Sequence, residues 1–139
     1  MSEPEWRAFV THGTRTAALA TTRRDGRPHV APIWFALDAD GSVMFTTAAD
    51  SLKGKTLRCD ARVALSIDDE TPPFAFVVIE GTATISADLD EMLVWAIRIG
   101  GRYMGAERAE AFGRRNAVEG ELLVRVTPER VVARRNIAD

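Results

Sequence analysis

The stretch Thr16-Ala-Ala-Leu-Ala-Thr-Thr-Arg-Arg-Asp-Gly-Arg-Pro-His-Val-Ala-Pro-Ile-Trp-Phe-Ala-Leu37 decides the fold. Its first seven residues are small, apolar and threonine-rich, a composition suited to an extended strand. Asp25-Gly26 follows, and this pair accepts the positive φ of tight hairpin turns, so the chain is expected to double back on itself. From Pro28 to Leu37 the residues alternate with period two: His29, Ala31, Ile33, Phe35 and Leu37 face one way, Val30, Pro32, Trp34 and Ala36 the other. Both faces are largely apolar, so both are expected to be covered. Pro32 cannot donate to a ladder, which predicts a local break, edge or bulge with backbone groups free to meet a ligand.

Working outward, Asp38-Ala39-Asp40-Gly41 reads as a second turn into the strand Val43 to Thr47. Further strands are expected over Arg62 to Asp68, over Phe74 to Ser86 with an interruption at Glu80-Gly81, and over Glu121 to Arg134 with a break at Pro128. Tight connections make the sheet antiparallel. Six strands in so short a chain favour a small barrel over a sandwich. Helices are expected from Pro4 to His12, with Trp6, Phe9 and Val10 as its apolar stripe, after Asp88 as N-cap, and from Ala106 to Arg115. In the helix after Asp88, Leu89, Met92, Leu93, Ala96 and Ile97 recur on one face, and Gly100 and Gly101 should weaken or end it. The fold class is therefore mainly β: a six-stranded antiparallel barrel with a few flanking helices, in one domain spanning residues 1–139.

A chain of 139 residues can bury one core. Hydrophobic residues at 46% and charged ones at 27%, with a net charge of −2, argue against disorder and against a general nucleic-acid binder. Any anion site must be local. Cys59 is the single cysteine, so no intramolecular disulfide can form, and its position beside Asp60 at a helix end disfavours a reactive thiolate. The acidic start Met1-Ser-Glu-Pro-Glu lacks a signal-peptide pattern, and no run approaches the ~20 apolar residues of a membrane span, so a cytoplasmic location is expected.

The chemistry concentrates at Val43 to Arg58, a strand ending in Thr46 and Thr47, a short turn, and a helix carrying Lys53 and Lys55 in its first turns. Free N–H groups, the helix dipole and two ammonium charges suit a phosphate there. The plainer alternative is a strand-to-helix connection capped by Asp50 or Ser51 with solvated lysines. Gly54-Lys55-Thr56 is no nucleotidase loop: Ala49 stands where that loop needs glycine, and hairpins replace the parallel sheet it requires. Gly100-Gly101-Arg102-Tyr103-Met104-Gly105 has neither the spacing nor the preceding strand of a dinucleotide fingerprint. His12 and His29 lie far apart without paired ligand spacing, and no nucleophile triad stands out. A barrel without an evident acid–base pair can still do chemistry when a bound cofactor carries the reactive group, and it can equally be a binding module.

Three blocks, Thr16 to Phe35, Phe45 to Arg58 and Pro72 to Gly81, in that order and spacing, resemble the pyridoxamine-phosphate-oxidase-like split-barrel flavoproteins. Within them the likeness is greatest to the flavin/deazaflavin oxidoreductases that use coenzyme F420. The segment Trp95-Ala-Ile-Arg-Ile-Gly-Gly-Arg-Tyr-Met-Gly-Ala106 further resembles the branch that includes F420-dependent biliverdin reductases. The resemblance implies a homodimer with cofactor sites at the subunit interface and a small-molecule substrate. It implies that the backbone of Ala31, Pro32, Ile33 and Trp34 lies along the cofactor ring. Thr46, Thr47, Lys53 and Lys55 would hold its phosphate end, and Phe74, Ala75 and Phe76 would approach from the second subunit. Arg98, Arg102 and Tyr103 are candidates for the acidic cofactor tail or the substrate, and Thr56 stands where many relatives carry Asn. The implied activity is hydride transfer from reduced F420 to a conjugated organic acceptor such as biliverdin. FMN is the alternative cofactor, in an oxidoreductase or oxidase, and a non-catalytic flavin- or haem-binding protein is a third reading.

Overall fold

Gly26 takes φ +90° in the turn after Arg23, and the strands on either side pair as the hairpin predicts. In the computed structural model, which describes residues 1–139, β1 (Ala17–Thr22) runs antiparallel to β2 (Pro28–Ile33) from Ala17↔Ile33 to Thr22↔Pro28. The expected strand Pro28 to Leu37 is cut in two. Trp34 and Phe35 leave the ladder, and β3 (Ala36–Leu37) pairs with β4 (Val43–Ala48), on the far side of the sheet from β1. The remaining strands are β5 (Arg62–Asp69), β6 (Ala75–Ser86) and β7 (Glu121–Arg135), every pairing is antiparallel, and the order is β2-β1-β5-β6-β7-β4-β3. Since β2 and β3 lie at opposite ends of that order yet are joined by two residues, the sheet must curl into a barrel whose seam is Trp34-Phe35. The six expected strands and the seven observed differ by this one cut.

Two further expectations are corrected. Pro128 does not break β7: the register slips by one residue between Glu80↔Arg130 and Gly81↔Pro128, and this bulge absorbs the missing donor. The outward row of β2 is not covered within the chain, where Val30 is 63% and Trp34 40% exposed and Pro32 is also exposed.

The core fills the barrel with Leu19, Phe35, Phe45, Leu65, Ile79 and Val124, all fully buried or nearly so. Helix α1 (Glu3–Thr11) is capped by Ser2, carries Pro4 in its first turn and buries Trp6 and Val10 in that core. Helix α2 (Leu52–Cys59) follows β4. Helix α3 (Leu89–Met104) is capped by Asp88, whose carboxylate accepts from the N–H groups of Asp90 and Glu91. A 3₁₀ turn (Ala106–Arg108) leads into α4 (Ala109–Asn116). The buried face of α3 is Met92, Trp95, Ala96, Ile99 and Gly100, rotated from the expected stripe so that Leu89 is 44% exposed. Met92 and Trp95 pack on Met44 and Leu123, on the outer surface of the barrel. Gly100 and Gly101 do not end the helix. A Cβ at Gly100 would strike the Phe112 ring and one at Gly113 would strike Ile97, so these glycines let α4 approach α3 closely. The helix stops instead at Gly105, with φ +91°. No helix is long and apolar enough to cross a membrane.

Candidate functional site

The junction between β4 and α2 is tightly determined. Ser51 Oγ accepts from the Gly54 N–H at 3.1 Å, donates to the Ala48 carbonyl at 2.7 Å and lies 3.1 Å from Thr47 Oγ1. Ser51 is the cap. Gly54 is buried where a Cβ would collide with the Ala48 and Ala49 carbonyl oxygens, which is the physical reason for the glycine in Gly54-Lys55-Thr56. Thr56 is buried, its hydroxyl 3.0 Å from that of Thr21 on β1, so it joins helix to barrel. Thr47 points inward and is buried, whereas Thr46, one residue earlier on the strand, faces the opposite side.

Residues two apart on a helix diverge by about 200°. Lys55 is exposed and lines an open basin of about 660 Å³, whereas Lys53 is half-buried and its charge acts on Glu121. The structure therefore sets the two lysines on different sides of α2. Around Lys55 the basin gathers Arg23 and Arg24 from the β1–β2 turn and Arg58 from the end of α2. Asp25 is the one acid on the wall, and its carboxylate lies 3.8 Å from Arg27. Arg58 also donates to the Ala49 carbonyl. Sequence reasoning missed Arg23, Arg24 and Arg58. Their signal was the packing of α2 against the end of β1, which only the Thr21–Thr56 contact reveals. Cys59 is a free, exposed thiol on the same wall.

Ala31, Pro32 and Ile33 lie on β2, an edge strand in the hydrogen-bonded order, so its outer backbone edge has no ladder partner there. Trp34 stacks on Tyr103 with centroids 4.7 Å apart and planes 8° apart, and meets Phe112 on α4 at 5.8 Å. Phe74, Ala75 and Phe76 are not brought to the basin. They line a separate hollow of about 350 Å³ with Asp68, Asp69, Glu70 and Ile137, where Phe74 has φ +66° and is 42% exposed. Arg98 lies exposed on α3 with its guanidinium 4.5 Å from the Trp95 ring.

Arg102 turns inward. It donates to the carbonyls of Val10 (2.7 Å), Phe35 (2.8 Å), Gly13 (2.9 Å) and Arg15 (3.2 Å), which engages four of its five N–H groups and leaves little for a carboxylate ligand. The Tyr103 hydroxyl donates to the Arg15 carbonyl at 2.8 Å and accepts from the Phe35 N–H at 3.3 Å. Burial pushes the Tyr103 phenol above its usual range and the Arg102 guanidinium below its own. No cluster of three or more metal-ligating side chains is present.

A seven-stranded antiparallel sheet curled into a half-barrel, with β2 and β3 as its ends, matches the fold of the split-barrel proteins. The sequence matches the pyridoxamine 5'-phosphate oxidase family over residues 2–134, and the chain belongs to that family. Among solved structures it is similar to the conserved hypothetical protein Rv2991 from Mycobacterium tuberculosis, with 29% identity, a TM-score of 0.86, and coverage of 100% of this chain and 89% of that one. An F420 reductase has 23% identity and a TM-score of 0.70, covering 90% and 94%. The haem storage protein HutZ from Vibrio cholerae has 19% identity and a TM-score of 0.73, covering 94% and 92%; likeness at these two levels of identity establishes the fold alone. No functionally curated protein matched the sequence.

Proposed function

We propose that this chain is an F420-dependent reductase that acts as a homodimer and passes a hydride from the reduced deazaflavin to a conjugated organic acceptor, of which biliverdin is one. The observation that carries the reading is the basin: Arg23, Arg24, Lys55 and Arg58 gather around a single acid in a chain whose net charge is −2. Four cations exceed the need of one phosphate. They suit a cofactor that bears a phosphodiester and carboxylates together, which supports F420 over FMN.

When bound, the deazaflavin supplies the hydride. The chain's own residues bind and orient: Lys55, Arg23, Arg24 and Arg58 offset the anionic end, and Thr47 and Ser51 hold the junction in shape. The free edge of β2 from Ala31 to Ile33, continuing through Trp34, gives backbone groups and an apolar wall for the ring. The Phe74–Phe76 segment of the second subunit closes the site, and Arg98 remains exposed for an acidic substrate group. The proton that accompanies the hydride comes from solvent or from the substrate.

FMN is the second reading, favoured by the match to the pyridoxamine 5'-phosphate oxidase family along nearly the whole chain. Parallel titration of the purified protein with F420 and FMN separates the two. Tight F420 binding, followed by oxidation of reduced F420 on adding an acceptor from a panel that includes biliverdin, is the expected result. Tight FMN binding with no F420 binding at micromolar concentration overturns it, and F420 binding without turnover on any acceptor reduces the protein to a carrier.

A further inference from the structure

Where the strand is cut at the barrel seam, Phe35 has left the β-ladder, and both of its backbone groups are taken by consecutive side chains of α3. Its N–H donates to the Tyr103 hydroxyl at 3.3 Å, and its carbonyl accepts from Arg102 at 2.8 Å. The same two side chains grip the Arg15 carbonyl, at 2.8 Å from Tyr103 and 3.2 Å from Arg102, and Arg102 reaches on to Val10 and Gly13. One residue before Phe35, the Trp34 indole lies flat on the Tyr103 ring. The Arg102 guanidinium sits 4.5 Å from the Phe35 ring and 4.9 Å from the Tyr103 ring. A connector without ladder bonds would otherwise be free to move, because an extended segment takes its rigidity from its hydrogen-bonded neighbours.

We infer that Arg102 and Tyr103 are positioning residues: together they clasp the Trp34-Phe35 connector and so set the orientation of Trp34 and of the β2 backbone against which the cofactor ring is held. The inference rests on the proposed cofactor reading for its functional consequence, but its structural half stands without it. The role differs from ligand binding. Arg102 has four of its donors on carbonyls, and the Tyr103 hydroxyl has one partner to give to and one to receive from. These are the contacts of a clasp.

The test uses the intact protein and the variants Tyr103→Phe and Tyr103→Leu. The first deletes only the hydroxyl, and the second also removes the stack. Trp6 and Trp95 are 7% and 6% exposed and Trp34 is 40% exposed in a single chain, so acrylamide quenching of tryptophan fluorescence reads Trp34 in ligand-free protein carrying Val30→Asp as a common background, where no second subunit covers the indole. Quenching is expected to rise in Tyr103→Phe and more in Tyr103→Leu. The cofactor Kd should rise by about five- to tenfold in Tyr103→Phe, the fold-change of one neutral hydrogen bond, with far-UV circular dichroism unchanged. Quenching in folded Tyr103→Phe equal to that of the background alone, or a Kd within twofold of wild type, overturns the inference. Should neither F420 nor FMN bind wild-type protein, the functional proposal fails while the quenching comparison still decides the clasp.

Discussion

The family resemblance sets Lys53 and Lys55 together at the phosphate end of a cofactor, yet the helix turns them to different sides, so their substitutions should separate. Lys55 shares its basin with Arg23, Arg24 and Arg58, and Lys55→Ala is expected to weaken cofactor binding by about 1.5–3 kcal/mol, typical of a charge-assisted hydrogen bond. Lys53 acts on Glu121 instead, and Lys53→Ala should cause the smaller change. Isothermal titration of both variants checks the pair, and an unchanged Kd in Lys55→Ala removes the phosphate assignment. What was legible at this scale was local. A helix cap at Asp50 or Ser51, of which the fold uses Ser51, Asp25-Gly26 as a turn and Asp88 as a second cap each follow from bonds within a few residues. Arg23, Arg24 and Arg58 were not legible as a group, because a contact between residues 35 apart, Thr21 to Thr56, brings them together. The inward turn of Arg102 was hidden for the same reason: its acceptors lie 67 to 92 residues away.

Elements show how packing overrides local preference. Glycine in a helix costs about 1 kcal/mol against alanine, which is why Gly100-Gly101 read as an ending. In the folded chain the absent Cβ admits Phe112, so the cost is offset by contact between α3 and α4 that larger residues would forbid. Likewise Pro128 costs β7 a donor, and the bulge opposite Gly81 accommodates it. The start of β7 gives a pH-dependent prediction. Glu121 pairs with Ala48, and burial first, then the charge of Asp50, pushes its carboxyl above the usual range, with Lys53 opposing. A carboxyl whose folded pKa is raised favours the fold while protonated, and that contribution is lost as pH rises through the folded value. Glu121→Gln should therefore melt at a higher temperature than wild type at pH 7, and the difference should vanish at a pH low enough to protonate the carboxyl in both folded and unfolded chains. Differential scanning calorimetry at neutral and acid pH reads it, and a variant that melts lower at pH 7 contradicts the sign.

At the scale of the molecule, the curl of the sheet and burial of its outer wall are separate problems. The curl of the sheet is set within the chain by the Trp34-Phe35 connector, which joins β2 and β3 at its two ends without ladder bonds between them. The outer wall is not covered within it: Val30, Pro32 and Trp34 form an exposed apolar row along an edge strand, an arrangement that free monomers seldom present because such an edge invites pairing. Alternation along Pro28 to Leu37 already showed two apolar faces in the sequence; what it could not show was that only one of them is covered by the chain's own elements. A second subunit laid on the other would bury that row. Sedimentation equilibrium is accordingly expected to give about twice the 15.2 kDa of one chain. Val30→Asp sets a charge at one end of the row without touching the core, and it should shift the protein to monomers, because an unpaired carboxylate in an apolar interface loses its hydration without compensation. If the site needs both subunits, the same variant loses cofactor affinity in step with its loss of dimer as concentration falls. A wild-type monomer, or a Val30→Asp dimer that binds cofactor as tightly as wild type, would remove this face from the site.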